Sequence, residues 1–147
     1  KRDFTHKGNL FNRLIEENVV GTPTVLMKRE SIDDMGFFND KLKSLVDWEY
    51  FLRISTKYDF IFIDQPLVRV NRSKGSVSTD HLSRAKTYEF LIKEYYEFMN
   101  VEQLTSKYYK TGIIYLKAKD IENAKLNFYK IKTLRNFSYR EKRFIIL

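Results

Sequence analysis

The chain has 147 residues, of which 43% are apolar, so it can form one domain or two small ones with a real hydrophobic core. It contains no cysteine, which excludes disulfides and thiolate metal sites, and no run of about 18 apolar residues, which excludes a membrane-spanning helix. The net charge of +8 is uneven: residues 1–80 carry 13 Lys/Arg against 12 Asp/Glu, and residues 81–147 carry 14 against 7. This composition favours a cytoplasmic protein whose basic second half would contact the inner face of a membrane, although a lysine-rich helical surface is usually just solvated.

The first 35 residues predict two helices and one strand. Four apolar residues at helical spacing indicate a helix over residues 9–17, namely Leu10, Phe11, Leu14 and Ile15. The sequence Gly-Thr-Pro-Thr at 21–24 breaks it, and the apolar run 25–27 predicts a short buried strand before a helix over residues 30–35. Gly21, Thr22 and Thr24 suit the backbone of a turn between helix and strand.

Asp47 stands where a Gly-led, Asn/Asp-rich turn gives way to a helical pattern. After it, apolar and small residues recur at helical spacing, namely Trp48, Phe51, Leu52 and Ser55. A carboxylate in a first helical turn is stabilised by free N–H groups and by the positive end of the helix dipole, so it can serve as a catalytic base. Ser44 and Asp47 also have the spacing of a capping box, which leaves a purely structural role open.

Residues 59–80 predict a small sheet and a polar loop. Residues 59–64 and 67–70 are rich in β-branched and aromatic side chains and predict two strands that pair. The loop over residues 71–80 contains Arg72 and Lys74 beside Gly75, so these cations either contact a phosphate or only keep the loop soluble.

The second half predicts helices to its end. A helix begins at His81, capped by Ser78, Thr79 or Asp80. Beyond it, the spacing of five residues resembles that of a tetratricopeptide repeat, namely Tyr108, Gly112, Tyr115, Ala124 and Phe128. This similarity predicts one antiparallel helical hairpin, with Gly112 and Ala124 where the helices approach, and the pattern from Ser138 predicts a further helix.

The sequence around Asp47 carries a second resemblance. Met35-Gly-Phe-Phe-Asn-Asp-Lys-Leu, followed by Asp47-Trp-Glu-Tyr-Phe-Leu-Arg53, resembles the signature G-F-D-E-x-L with E-D-W-D-L-W-L-R of family 2 glycosyltransferases, the inverting GT-A enzymes. Residues 24–29 are similar to the strand before that turn, and 66–71 to the family's P-L-x-x-Y-R-x-H. The likeness covers about residues 9–80, with Val46 and Asn71 in place of the family's Glu and His.

The resemblance implies an α+β, mostly helical chain in which residues 1–80 are the acceptor-side part of a GT-A domain and 81–147 a helical, tetratricopeptide-like region. It implies a nucleotide-sugar donor, a glycan or other hydroxyl acceptor, and Asp47 as general base. The implied substrate-binding residues are Thr22, Thr24, Trp48, Arg53, Asn71, Arg72 and Lys74, and Gly21 would line the same acceptor pocket. Trp48 can instead be core packing beneath the site, and Arg53 an ion-pair partner that orients the helix.

The same likeness implies a divalent metal, Mg or Mn, held by a D-x-D motif outside this chain, so we expect the isolated chain to be inactive. Asp33 and Asp34 are adjacent on a helix, where side chains point about 100° apart, and do not replace that motif. The alternative is a non-catalytic helical module that binds a partner or an anionic surface; no nucleic-acid-binding module is recognisable.

Overall fold

The computed structural model describes the backbone of residues 7–69 and 80–144 and the side chains of 8–69 and 80–134. Within these residues the chain is mostly helical, with six α-helices and one two-stranded sheet. It divides into two compact units, Lys1–Ser76 and Val77–Leu147, which we describe separately. No described helix combines the length and the apolar character that crossing a bilayer requires.

The first unit contains three helices and the sheet. Strand β1 covers Lys7–Gly8, helix α1 Phe11–Glu16, α2 Arg29–Met35, α3 Val46–Ser55, and strand β2 Phe60–Ile61, with a 3₁₀ turn at Thr22–Thr24. The predicted helices over 9–17 and 30–35 are confirmed, with ends displaced by one or two residues.

Helices α1 and α3 form the core of this unit. The side chains buried there come mainly from these two helices and include Leu14, Ile15, Trp48, Phe51 and Leu52. The Trp48 indole donates to the Leu14 carbonyl and joins the two helices (2.6 Å), and Asn9, which precedes α1, donates from Nδ2 to the Ser55 carbonyl at the end of α3 (2.6 Å). The first turn of α3 is therefore fixed against α1.

Of the three strands predicted in the first unit, the one over residues 59–64 is confirmed in part, as Phe60–Ile61, and the other two are wrong. Residues 25–27 form no strand, since no described segment pairs with them, and Leu26 is 98% exposed. Strand β2 pairs antiparallel with β1, through Lys7 with Ile61 and Gly8 with Phe60, and residues 67–69 form no strand; residue 70 lies outside the described residues. Composition identifies a segment that prefers extended backbone, but a strand also needs a neighbour to pair with.

The second unit is a row of three helices. Helix α4 covers His81–Glu94, α5 Val101–Lys117 and α6 Ile121–Phe144, with a 3₁₀ turn at Tyr96–Phe98 between α4 and α5. Asp80 is the residue that caps α4, since its Oδ1 accepts from the Ser83 amide (3.0 Å). Asn100 and Gln103 form a capping box that starts α5.

Helices α5 and α6 pack as the predicted hairpin. Ala124 and Thr111 are fully buried, and Tyr115 is 2% exposed. Gly112 faces the Phe128 ring so closely that an added Cβ would lie 2.6 Å from Phe128 Cε1. The prediction of a further helix from Ser138 is wrong, because α6 continues without interruption to Phe144.

Candidate functional site

Asp47 lies in the first turn of α3, two residues after a strained residue. Leu45, the residue before the helix, has left-handed backbone angles (φ 52°, ψ 31°), which residues other than glycine and asparagine rarely adopt. Such a conformation costs about 1–3 kcal/mol and persists only where its surroundings fix it. Here it sets the direction in which α3 starts, and with it the position of Asp47.

Three donors hold the Asp47 carboxylate. Oδ2 accepts from Asn18 Nδ2 (3.3 Å) and from Thr22 Oγ1 (3.2 Å), and Oδ1 accepts from the Trp48 amide (2.9 Å). Asp47 therefore connects the segment after α1, the 3₁₀ turn and the start of α3. The structure brings together two of the sequence-predicted site residues, Thr22 and Asp47.

The carboxylate keeps room for one more donor. A carboxylate has about four acceptor positions, and the three hydrogen bonds leave one on Oδ1. The side chain is half-buried, so a hydroxyl group from solvent can reach it. The bond to the Trp48 amide also satisfies one free N–H of the helix start. The capping box predicted for Ser44 and Asp47 is absent, because Leu45 is the residue that precedes the helix.

Trp48 and Arg53 have structural contacts. The Trp48 ring is 2% exposed, so it offers no face on which a sugar could stack. Arg53 forms a two-point ion pair with the buried Glu49 (2.8 and 3.2 Å) and donates to the Met35 and Phe37 carbonyls at the end of α2. Arg53 thus positions the turn that precedes α3.

The other predicted residues divide into two groups. Thr24 is exposed and donates within its own turn, from Oγ1 to the Gly21 carbonyl (2.7 Å). Asn71, Arg72 and Lys74 lie outside the described residues.

Asn18, which directly follows the predicted helix over residues 9–17, lies within hydrogen-bonding distance of the predicted base. A polar residue placed just before the Gly-Thr-Pro-Thr turn is the signal that could have identified it.

The aspartates of α2 have other partners. Asp33 pairs with Arg29 (2.9 Å), and Asp34 accepts from Lys57 and from the Tyr58 hydroxyl. These hydrogen bonds, above all that from Lys57, lower the pKa of Asp34. In the part of the chain described here, no three or more His, Cys, Asp or Glu side chains lie together as metal ligands would.

Comparison with known protein families, with characterised proteins and with solved structures finds no significant match for this chain.

Proposed function

We propose that residues 1–80 form the acceptor side of an inverting glycosyltransferase, with Asp47 as general base. The observation that carries the proposal is the half-buried Asp47 carboxylate, held by Asn18 and Thr22 at a helix start and open at one acceptor position. The proposal places the enzyme in the cytoplasm, where its basic second half would face the membrane.

In the proposed reaction, an acceptor hydroxyl donates a hydrogen bond to Asp47 Oδ1. The carboxylate takes the proton while the hydroxyl oxygen attacks the anomeric carbon of a nucleotide sugar. The bond from that carbon to the diphosphate breaks, the nucleoside diphosphate leaves with the electron pair, and the configuration inverts. Asn18 and Thr22 fix Oδ2, so that Oδ1 keeps one orientation throughout.

The described residues include no cluster of three or more His, Cys, Asp or Glu side chains that could hold a metal ion. The divalent ion that the family likeness implies would take its ligands from elsewhere in a longer enzyme. Under this proposal, the nucleotide-binding half of the enzyme would also lie elsewhere in that longer protein.

The test is Asp47→Asn in the full-length protein that carries this chain. The amide nearly preserves the shape of the side chain but cannot accept the proton, so we expect kcat to fall at least about a hundredfold. Binding of the nucleotide sugar should change by less than about twofold, because the base contacts the acceptor and not the donor.

Asp33→Asn is the matched control, since it removes an exposed carboxylate that forms only the ion pair with Arg29. It should leave kcat unchanged. Near wild-type turnover by Asp47→Asn, with only a lower melting temperature, would assign Asp47 to stabilising the start of α3.

A further inference from the structure

A groove in the second unit lies between α4 and α6, with α5 beneath it. Its cavity of about 440 Å³ is within the size range of sites that bind small ligands or a few residues of a chain. The lining residues are Glu89, Ile92, Lys93, Tyr96, Tyr108 and Lys130. None of them belongs to the first unit, so the inference that follows is independent of the glycosyltransferase proposal.

One side of the groove is a carboxylate with a fixed orientation. Glu89 Oε2 accepts from the Tyr115 hydroxyl (2.7 Å), and Oε1 accepts from Asn127 Nδ2 (3.2 Å). Burial and the hydrogen bond to Glu89 raise the pKa of Tyr115, which keeps the phenol protonated as a donor. Each Glu89 oxygen still has one free acceptor position, so the carboxylate can accept from a ligand N–H or O–H.

Two lysines line the same groove. Lys93 is four residues after Glu89 on α4, and Lys130 is three residues after Asn127 on α6, so both lie about one turn beyond the Glu89–Asn127 contact. Among side chains 80–134, neither forms an ion pair; Lys130 Nζ instead lies 5.2 Å from the centre of the Tyr108 ring. With the Glu89 carboxylate, these two lysines leave the groove with one net positive charge, which favours an anionic ligand.

We propose that this groove binds an acidic segment of a peptide chain. An Asp or Glu side chain would lie between Lys93 and Lys130, and the peptide's own backbone N–H would donate to Glu89. Ile92 and Tyr96 provide the apolar contact for the neighbouring side chain. The groove thus matches a ligand that presents an anion and a hydrogen-bond donor about one residue apart.

The buried floor of the groove offers no free aromatic face. The Tyr108 side chain is only 9% exposed, and its ring already carries the Lys130 ammonium group. Bases bind by stacking on aromatic faces, so this floor does not favour a nucleotide. Tyr96, which also lines the groove, is 42% exposed and can contact an apolar side chain of a peptide.

The experiment is an NMR titration of the ¹⁵N-labelled chain with a mixture of acetylated hexapeptides that have two central Asp residues and varied flanking positions. We expect shifts of amides in α4 and α6 around Glu89, Lys93 and Lys130. The matched mixture with Asn in place of Asp should produce at least about tenfold weaker binding, because each charge-assisted bond contributes about 1.5–3 kcal/mol and 1.4 kcal/mol is tenfold.

Two variants localise the effect. The double variant Lys93→Gln with Lys130→Gln should abolish the shifts. Lys125→Gln, an exposed lysine of α6 that pairs only with Glu122, should leave them unchanged. Shifts of equal size with the Asn peptides, or retained by the double variant, would overturn the proposal.

Two further probes distinguish other ligands. Inorganic phosphate that shifts the same amides at the same concentrations as the Asp peptides would show a simple anion site and overturn the peptide assignment. Binding of polygalacturonate without binding of the peptides would assign the groove to acidic glycans and overturn it equally.

Discussion

The close contact between Gly112 and Phe128 predicts that Gly112→Ala destabilises the wild-type chain but stabilises a chain that lacks the Phe128 ring. Gly112 lies within α5, and a Cβ added there would be 2.6, 2.7 and 3.0 Å from three carbon atoms of the Phe128 ring. Carbon atoms at optimal contact are about 3.5–4.0 Å apart, so the ring must move when Gly112 becomes Ala. Tyr109 lies against the same ring, at 6.1 Å between ring centres, and limits that movement.

Two effects of Gly112→Ala oppose each other. Alanine is more favourable than glycine in a helix interior by about 1 kcal/mol, whereas overpacking costs about 1–3 kcal/mol. With a central overpacking cost of about 2 kcal/mol, the net loss of unfolding free energy is about 1 kcal/mol. In a unit of this size, that lowers the melting temperature by about 4–8 °C.

The assay is urea denaturation followed by far-UV circular dichroism, with amide hydrogen exchange of α5 to localise the effect. We expect Gly112→Ala to destabilise the wild-type chain but to stabilise Phe128→Ala by about 1 kcal/mol, because the ring is then gone and only helix propensity remains. A stabilising Gly112→Ala in the wild type, or additive free energies in the double variant, would refute the close packing of the two helices at this point.

Three further predictions each depend on the surroundings of one residue. Arg53→Leu should cost about 3 kcal/mol in urea denaturation, because it leaves Glu49 buried without its partner. Ala124→Leu should cost about 1–3 kcal/mol by overpacking, since Ala124 has no exposed surface, whereas Lys125→Gln should leave the melting temperature unchanged. Asp120, whose pKa is held below its ordinary 3.8 by hydrogen bonds from Asn123, should contribute stability at neutral pH that is lost as the pH falls through the folded-state value.

Each of these has a control. For Arg53→Leu it is Arg29→Leu, which breaks an exposed pair with Asp33 and should change the unfolding free energy by less than about 0.5 kcal/mol. For Asp120 it is Asp120→Asn, whose melting temperature should fall less than that of the wild type between pH 4 and pH 3. If Arg53→Leu and Arg29→Leu lower the unfolding free energy equally, the pair of Arg53 with Glu49 does not stabilise the fold. If the melting temperatures of the wild type and of Asp120→Asn fall in parallel with pH, the Asp120 hydrogen bonds do not stabilise it.

Local signals in the sequence predict each described helix but not the length of α6, which continues through Ser138. Periodicity predicted α1, α2 and the α5–α6 hairpin, and the polar residues before His81 predicted the cap of α4 that Asp80 provides. These features depend on residues within a few positions of each other. The sheet depends on Lys7 and Gly8 meeting Phe60 and Ile61, more than fifty residues away, which no local pattern encodes.

In the candidate site, too, the local features are predictable from the sequence and the contacts between distant residues are not. Asp47 could be predicted, since a carboxylate at a helix start is a local feature. Its partner Asn18 could not, because the bond between them joins residues 29 apart in sequence. The left-handed backbone of Leu45 also escaped prediction, since leucine has no preference for it and the surrounding fold imposes it.

The short sheet also affects how this chain behaves in solution. Among the described residues, only Phe60 and Ile61 of this segment pair with another strand, while Ile61, Phe62 and Ile63 are 78%, 48% and 59% exposed. Exposed β-branched and aromatic residues next to unpaired backbone groups can pair with another molecule and start aggregation. Asp59 and Asp64 border this run and act as charged gatekeepers, so replacing both with neutral residues would remove the electrostatic protection and shorten the time for which a concentrated sample stays monodisperse.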